Sequence, residues 1–244
     1  MSKRLRFFLS HLSLSLLIAI IVVCLVFWFW YPTPLAIAVG VTHIFLILLG
    51  IDLILGPILG FLVYKEGKKT LKFDLSVVIC IQVMALMYGI YSIERARPVW
   101  LVYYANGFEV VQKNAIDNTH IDQALKEYQK PSWLQPQFVA IQAAQSINQH
   151  NNDLFEEVLG RISLAQKPER YLDIAQIKPQ IKQNVRELSE LKKYNNESEF
   201  KATINKYPQA DAWLPLKANA QDMVVLINKE KAEVIKIVDL RPWN

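Results

Sequence analysis

The sequence has few cysteines and no cluster typical of a metal or redox centre. Its 244 residues include Cys24 and Cys80, both inside long apolar runs, and no cysteine follows residue 80. The later part of the chain therefore cannot be a disulfide scaffold, and single cysteines in apolar helices are usually small packing residues. No CxxC or HExxH spacing occurs. We therefore expect no metal site and no cofactor.

Signatures of catalysis are also missing. The chain contains no GxSxG, no GxGxxG and no Gly-rich phosphate loop, and its four histidines are scattered. The neighbouring carboxylates Glu156 and Glu157 fall in a predicted helix, where adjacent side chains point in different directions, so we interpret them as solvated surface residues. The sequence predicts that the protein is not an enzyme.

Excess positive charge is confined to the first 97 residues. That part holds 9 Lys+Arg and 4 Asp+Glu, whereas residues 98–244 hold 18 of each. A neutral second part has no basic patch that would release counterions from phosphates, so nucleic acid is not an expected partner. The basic residues of the first part flank apolar runs, where they act as topology signals.

Three apolar runs dominate residues 1–97, at about 12–31, 35–63 and 75–93. Each is long enough to cross roughly 30 Å of hydrocarbon as a helix. The second run exceeds a perpendicular crossing, and we expect tilt or a kink at Gly56-Pro57 to absorb the surplus. The first run ends in four aromatic residues instead of a small-x-small cleavage site, which favours an uncleaved anchor. The sequence predicts a membrane domain over residues 1–97 whose surroundings are the lipid bilayer.

The flanking Lys and Arg residues predict the orientation of these spans. Three lie near the N-terminus, none lies in the turn after the first run, and four lie between the second and third runs. Because positive flanks stay in the cytoplasm, the N-terminus is expected inside and residues 98–244 outside, although Arg95 and Arg97 count against this orientation.

Residues 98–244 show both strand and helix patterns. Alternation predicts strands around 99–103 and 108–111 with a tight turn at Asn106-Gly107, and a closing hairpin of 223–227 and 234–238. Helical spacing predicts helices at 119–130, 137–149, 153–163, 174–193 and 197–206. The expected fold is three N-terminal transmembrane α-helices followed by an extracytoplasmic α+β domain with terminal strands and a C-terminal β-hairpin.

Asp52 is the only charged residue in the second run and is predicted to lie near mid-membrane. A carboxylate at that depth costs about 2.5 to 3.5 kcal/mol by insertion scales. Three interpretations remain open: a protonated carboxyl bonded within the bundle, for instance to Gln82; a docking point for a polar group on another membrane helix; or a proton or ion relay. Nearby, Gly56 and Gly60 remove bulk from one helix face, which suits packing against the first or third span or against a foreign helix.

Several strings of residues resemble one family. They are Asp52-Leu53-Ile54-Leu55-Gly56-Pro57, Asp74-Leu75 followed by Gln82, Ala85-Leu86 and Tyr88-Gly89, Ala96-Arg97-Pro98-Val99, and Leu214-Pro215-Leu216-Lys217-Ala218 with the closing hairpin. Together they look like the TfpX/TfpZ group of type IV pilin accessory proteins. The resemblance is concentrated in residues 52–99, and the middle of the later part matches only in its helical character.

This resemblance implies a multi-pass protein of the bacterial inner membrane with a periplasmic C-terminal domain. It would be an accessory factor or chaperone that binds the transmembrane helix and globular head of the type IV major pilin and supports pilin stability, pilus assembly or pilus dynamics. By analogy, we predict five partner-binding residues: Asp52, Gly56, Pro57, Gly60 and Gln82.

Two other classes of function remain open. A membrane-anchored ligand sensor or signalling subunit with a periplasmic binding domain would need a partner to carry its signal, because the predicted inside segments are short. A small membrane enzyme or transporter would have Asp52 alone, without a second intramembrane acid or base to pair with it.

Overall fold

The computed structural model describes residues 1–144, 146–160 and 162–243, and the chain divides into two compact units. The first unit comprises Met1–Phe29 and Gly40–Ala96, and the second comprises Trp30–Val39 and Arg97–Asn244. The second unit thus includes the end of the first predicted apolar run, the turn at 32–34 and the first residues of the second run.

Three long apolar helices form the first unit. Helix α1 covers Lys3–Leu25 and continues through a π-helical turn at Val26–Trp30, α3 covers Val41–Val63, and α4 covers Leu71–Ala96. The Ser2 side chain caps α1 by accepting the backbone N–H of Leu5. All three helices are long and apolar enough to cross a membrane, and α3 contacts both α1 and α4. The predicted fold class is confirmed in this part.

The second span begins later than predicted. Residues Leu35–Ala38 form a separate short helix, α2, and Gly40 then adopts φ 75° before α3 starts at Val41. A left-handed conformation suits glycine, which has no Cβ to clash with the backbone. The 23 residues of α3 span about 35 Å, so the extra length of the apolar run lies outside this helix.

Within the described residues of the second unit, eight strands form one mixed sheet. The strand order is β4-β3-β1-β2-β6-β7-β8, and β5 pairs with the beginning of β6. The β1–β3 and β2–β6 pairs are parallel and the others antiparallel. The strands are β1 Pro98–Tyr104, β2 Gly107–Gln112, β3 Gln137–Ile141, β4 Tyr171–Leu172, β5 Arg186–Glu187, β6 Ala212–Lys217, β7 Met223–Asn228 and β8 Glu233–Val238.

Both predicted hairpins are present, β1 with β2 and β7 with β8. The turn of the first hairpin is one residue earlier than predicted. Ala105 and Asn106 are its two central residues, with φ of 48° and 62°, as in a type I′ turn. Gly107 instead begins β2, where a Cβ atom would lie 2.9 Å from the Pro215 ring and 3.0 Å from its carbonyl oxygen.

The predicted helices between the hairpins are only partly correct. Helices α5, α6 and α7 cover Ile147–Gly160, Lys178–Asn184 and Glu197–Ile204, so the last prediction is close. The stretch predicted at 119–130 contains one 3-10 turn, and the one at 174–193 is divided among 3-10 turns, α6 and β5. The stretch at 137–149 begins as β3, because Val139 and Ala140 are buried beside β1. Gln145 and Arg161, inside two of the predicted helices, lie outside the described residues.

The segment Trp30–Val39 contributes to the core of the second unit. Leu35 and Ala38 are 2% and 0% exposed and belong to the same apolar cluster as Leu101 and Leu214 of the sheet. The Ala38 carbonyl accepts backbone N–H groups from the β6–β7 turn at 3.0 and 3.1 Å. The segment that joins α1 to α3 is therefore part of the core of the second unit.

Candidate functional site

A polar cluster centred on Gln82 joins the three long helices of the first unit. Gln82 Oε1 lies 2.9 Å from His11 Nε2, and Gln82 Nε2 donates to Ser15 Oγ at 3.1 Å and to the backbone carbonyl of Asp52 at 3.2 Å. Because an amide oxygen only accepts, the facing His11 nitrogen carries the proton. Such interhelical hydrogen bonds contribute about 0.6 kcal/mol each on average in a membrane protein. The cluster therefore ties α4 to both α1 and α3.

Gly56 and Gly60 of α3 face other helices of the same unit. A Cβ atom at Gly56 would overlap the Gln82 amide, and one at Gly60 would lie 2.9 Å from Phe7 Cε1 and 3.3 Å from His11 Nδ1. Pro57 between them is buried as well. The glycine face was interpreted as packing either against the first or third span or against a foreign helix. The position of these residues agrees with packing against the first and third spans. Their binding to another protein stays a prediction.

Asp52 does not have the bond from its carboxyl group to Gln82 that one of the three interpretations gave as an example. It is the twelfth of the 23 residues of α3, with 11 on either side. Gln82 donates to its backbone carbonyl, not to its carboxyl group, and within the described residues no group donates to that carboxyl. The half-buried side chain instead lines an apolar groove of about 400 Å³ between α3 and α4, with Leu55, Leu59 and Ala85. The central carboxyl group is thus available to an occupant of this groove.

In the second unit, the polar side of α5 faces the rest of the fold. Arg170 Nη1 lies 2.8 and 2.9 Å from the two carboxylate oxygens of Asp153, and these side chains are mostly buried. The Tyr104 hydroxyl donates to Glu157 at 2.7 Å, and Lys167 forms an ion pair with Glu156. The interpretation of Glu157 as a solvated carboxylate was wrong, because a helix with a buried polar side brings it to Tyr104. Glu156 is paired but remains half-exposed.

The opposite side of α5 is an exposed apolar surface, here termed the α5 apolar face. Val158, Leu159 and Phe155 are 74%, 70% and 68% exposed, and Ile147 and Leu154 complete the face. A surface helix normally turns its apolar side to the core, so this helix is inverted. Contiguous exposed apolar surface on a folded unit marks an interaction site.

Burial also changes the titration of groups beneath α5. It raises the pKa of Tyr104 above the ordinary range, and the bonded Glu157 carboxylate adds to the effect, so the phenol keeps its proton at neutral pH. Burial likewise raises the pKa of Glu109, which accepts a hydrogen bond from Ser163 and is opposed by the charge of Lys217. These groups line a pocket of about 560 Å³ beside α5.

The predicted site residues are adjacent in the structure, but their surroundings differ from expectation. Asp52, Gly56 and Gln82 meet at one level of the bundle, and Gly60 lies one turn further along α3, against α1. The α5 apolar face was missed. Its spacing of apolar residues is visible in the sequence, but periodicity identifies a face without telling which side meets solvent.

The fold and these surfaces define the class: a protein with three apolar helices of membrane-spanning length and an α+β unit, which presents an apolar groove and an apolar helix face.

Comparisons with known proteins add a family likeness. The family model for the fimbrial assembly protein FimB matches residues 1–40. The serogroup E1 fimbrial assembly protein of Dichelobacter nodosus is 28% identical over 127 residues, which cover 51% of this chain and 49% of that protein. The serogroup C1 and C2 protein of the same organism is 34% identical over 83 residues, 33% of this chain and 63% of its own. The chain spans about half the length of the first of these relatives, and no solved structure matches significantly.

Proposed function

We propose that this protein is a non-catalytic accessory factor for type IV pilin in the bacterial inner membrane, of the TfpX/TfpZ kind. It binds the pilin before assembly and supports its stability, incorporation or pilus dynamics. The likeness to fimbrial assembly proteins supports the process. The observation that supports the binding role is the Asp52 carboxyl at the centre of α3, which has no hydrogen-bond donor among the described residues and lies beside an apolar groove.

The groove suits a transmembrane helix as occupant. A carboxyl group in hydrocarbon is costly without a partner, and the side chains of α1 and α4 leave Asp52 unsatisfied in the part of the bundle that the structure describes. The groove walls are apolar and wide enough for several aliphatic side chains. A pilin subunit waiting in the membrane is an apolar helix with an exported head, and a hydrogen-bond donor or positive group near the start of that helix would satisfy Asp52.

The α5 apolar face is the corresponding surface for the pilin head. In the proposed orientation the basic flanks of the spans stay in the cytoplasm and the second unit is periplasmic. Burial of Arg97 supports this topology, because the arginine is 1% exposed and is packed inside the second unit. Arg97 therefore counts less against this orientation than a free charge beside the span would.

Site-specific crosslinking tests the groove. A photo-crosslinking residue at Ala85, which lines the groove, should capture pilin in cells. Met84, its neighbour on the same helix, is 60% exposed outside the groove and provides the matched control. Equal capture at both positions, or capture at Met84 alone, would contradict binding in the groove.

Two substitutions then test the carboxyl group itself. Asp52→Asn keeps hydrogen bonding and removes the charge, whereas Asp52→Ala removes both. We expect Asp52→Ala to lower pilin co-purification by at least tenfold, equivalent to about 1.4 kcal/mol, and Asn to show whether the charge is needed. Normal pilin level, co-purification and piliation in both variants, at normal accumulation of the protein, would remove Asp52 from the proposal.

A further inference from the structure

A loop of the second unit is attached to the residues at which two of the apolar helices end. Trp30 is the last residue of the first spanning helix and is 2% exposed. Its ring packs edge to face against Trp133, with centroids 6.0 Å apart and an interplanar angle of 87°. Trp133 therefore lies within one ring diameter of the point where the first span ends.

A second attachment involves the third span. Arg97 directly follows Ala96, the last residue of α4, and its Nη2 atom donates to the Ser132 carbonyl at 2.7 Å. The backbone just before Trp133 is thus held by the first residue after the third span. Both attachments lie within the second unit, and each joins the loop to a residue at or next to the end of an apolar helix.

The side chains at the tip of this loop are apolar and exposed. Trp133 is 59% exposed despite its contact with Trp30, and Leu134 is 40% exposed. Residues 131–136 carry no charge, whereas the exposed Lys130 comes immediately before them. An indole ring prefers the headgroup level, where its apolar body is sheltered and its N–H stays wet, and a nearby lysine suits lipid phosphates.

We propose that the Trp133–Leu134 tip is a membrane-interface contact, by which the second unit rests on the lipid headgroups beside the ends of α1 and α4. The occupant is the bilayer because the loop is held against Trp30 and Arg97, which lie at or next to the ends of the first and third apolar helices. The tip adds a restraint on the second unit besides its three polypeptide connections to the first unit, at 29–30, 39–40 and 96–97. It does so whether or not a pilin is bound.

Depth-dependent fluorescence quenching tests the contact on the full chain. In a background with Cys24 and Cys80 replaced by alanine, a single cysteine is introduced by Leu134→Cys, which leaves the Trp30–Trp133 contact in place. The cysteine carries an environment-sensitive fluorophore, and the protein is reconstituted into phosphatidylcholine vesicles with nitroxide lipids labelled near the headgroup. Trp133→Cys provides a second position.

The matched control is Asn106→Cys, an exposed site in the β1–β2 turn, about 20 Å along β1 from Pro98. We expect emission at position 134 to be blue-shifted and quenched several-fold more strongly than at position 106. Water-like emission with equally weak quenching at both positions would overturn the inference. So would a label that is water-exposed in vesicles and becomes shielded only when purified pilin is added, because the tip would then be a protein contact.

Discussion

The burial of the Trp30–Val39 segment in the second unit leads to a quantitative prediction. Leu35 lies on the connection between two membrane-spanning helices, yet it is 2% exposed in the apolar cluster that includes Leu101, Leu214 and Val225. Leu35→Ala removes a side chain that packs against the sheet. It changes no charge and no hydrogen bond, so its effect isolates the packing of this segment.

The expected loss is that of a large-to-small substitution in a core, about 2–5 kcal/mol. For a unit of about 160 residues, each kcal/mol shifts the melting temperature by roughly 2–4 °C. A central value of about 3 kcal/mol therefore predicts a decrease of roughly 6–12 °C. Melting is followed in lipid nanodiscs by thermolysin cleavage of the second unit at increasing temperature.

The control for this prediction is two residues away. Ile37 lies in the same short helix but is 42% exposed, so Ile37→Ala should shift melting by much less. Equal shifts for the two variants would refute packing of this segment against the sheet. A fragment of residues 97–244 that melts like the full chain would refute it too, because that fragment lacks the segment entirely.

Two further predictions concern the other sites. Gly56→Ala should displace the Gln82 amide and reduce accumulation of the protein, and adding Gln82→Ala should restore accumulation in the double variant. Gly50→Ala is the control and should be harmless, because nothing lies within 4 Å of its added Cβ. Unchanged levels in Gly56→Ala would contradict the packing described. Glu109→Gln should raise the melting temperature at pH 7, because burial raises the pKa of Glu109 in the folded state above its ordinary value of 4.5 and the carboxylate is buried as a charge. The wild-type protein gains stability as the pH falls through that folded-state pKa towards 4.5, so the difference in melting temperature between the two proteins should close over this range. A difference in melting temperature that widens on acidification would contradict a raised pKa of Glu109.

Features that depend on neighbouring residues could be predicted from the sequence. The three spans follow from the length and composition of each apolar run, because apolar side chains are favourable in hydrocarbon at every position along a spanning helix. The two hairpins follow from alternation on both sides of a short turn, and α7 follows from the helical spacing of residues 197–206. Asp52 was identified because a charge inside such a run is rare.

Features that depend on contacts between distant residues were decided by the tertiary structure. Residues 137–141 have a helical pattern but form β3, because pairing with β1 satisfies their backbone and buries Val139. Leu35 has the composition of a membrane residue but packs in the sheet core. The inversion of α5 depends on Arg170, 17 residues beyond Asp153, which buries the carboxylate and leaves the apolar side to solvent. Periodicity identifies a face of a helix, but the partner supplied by the fold determines which face is buried.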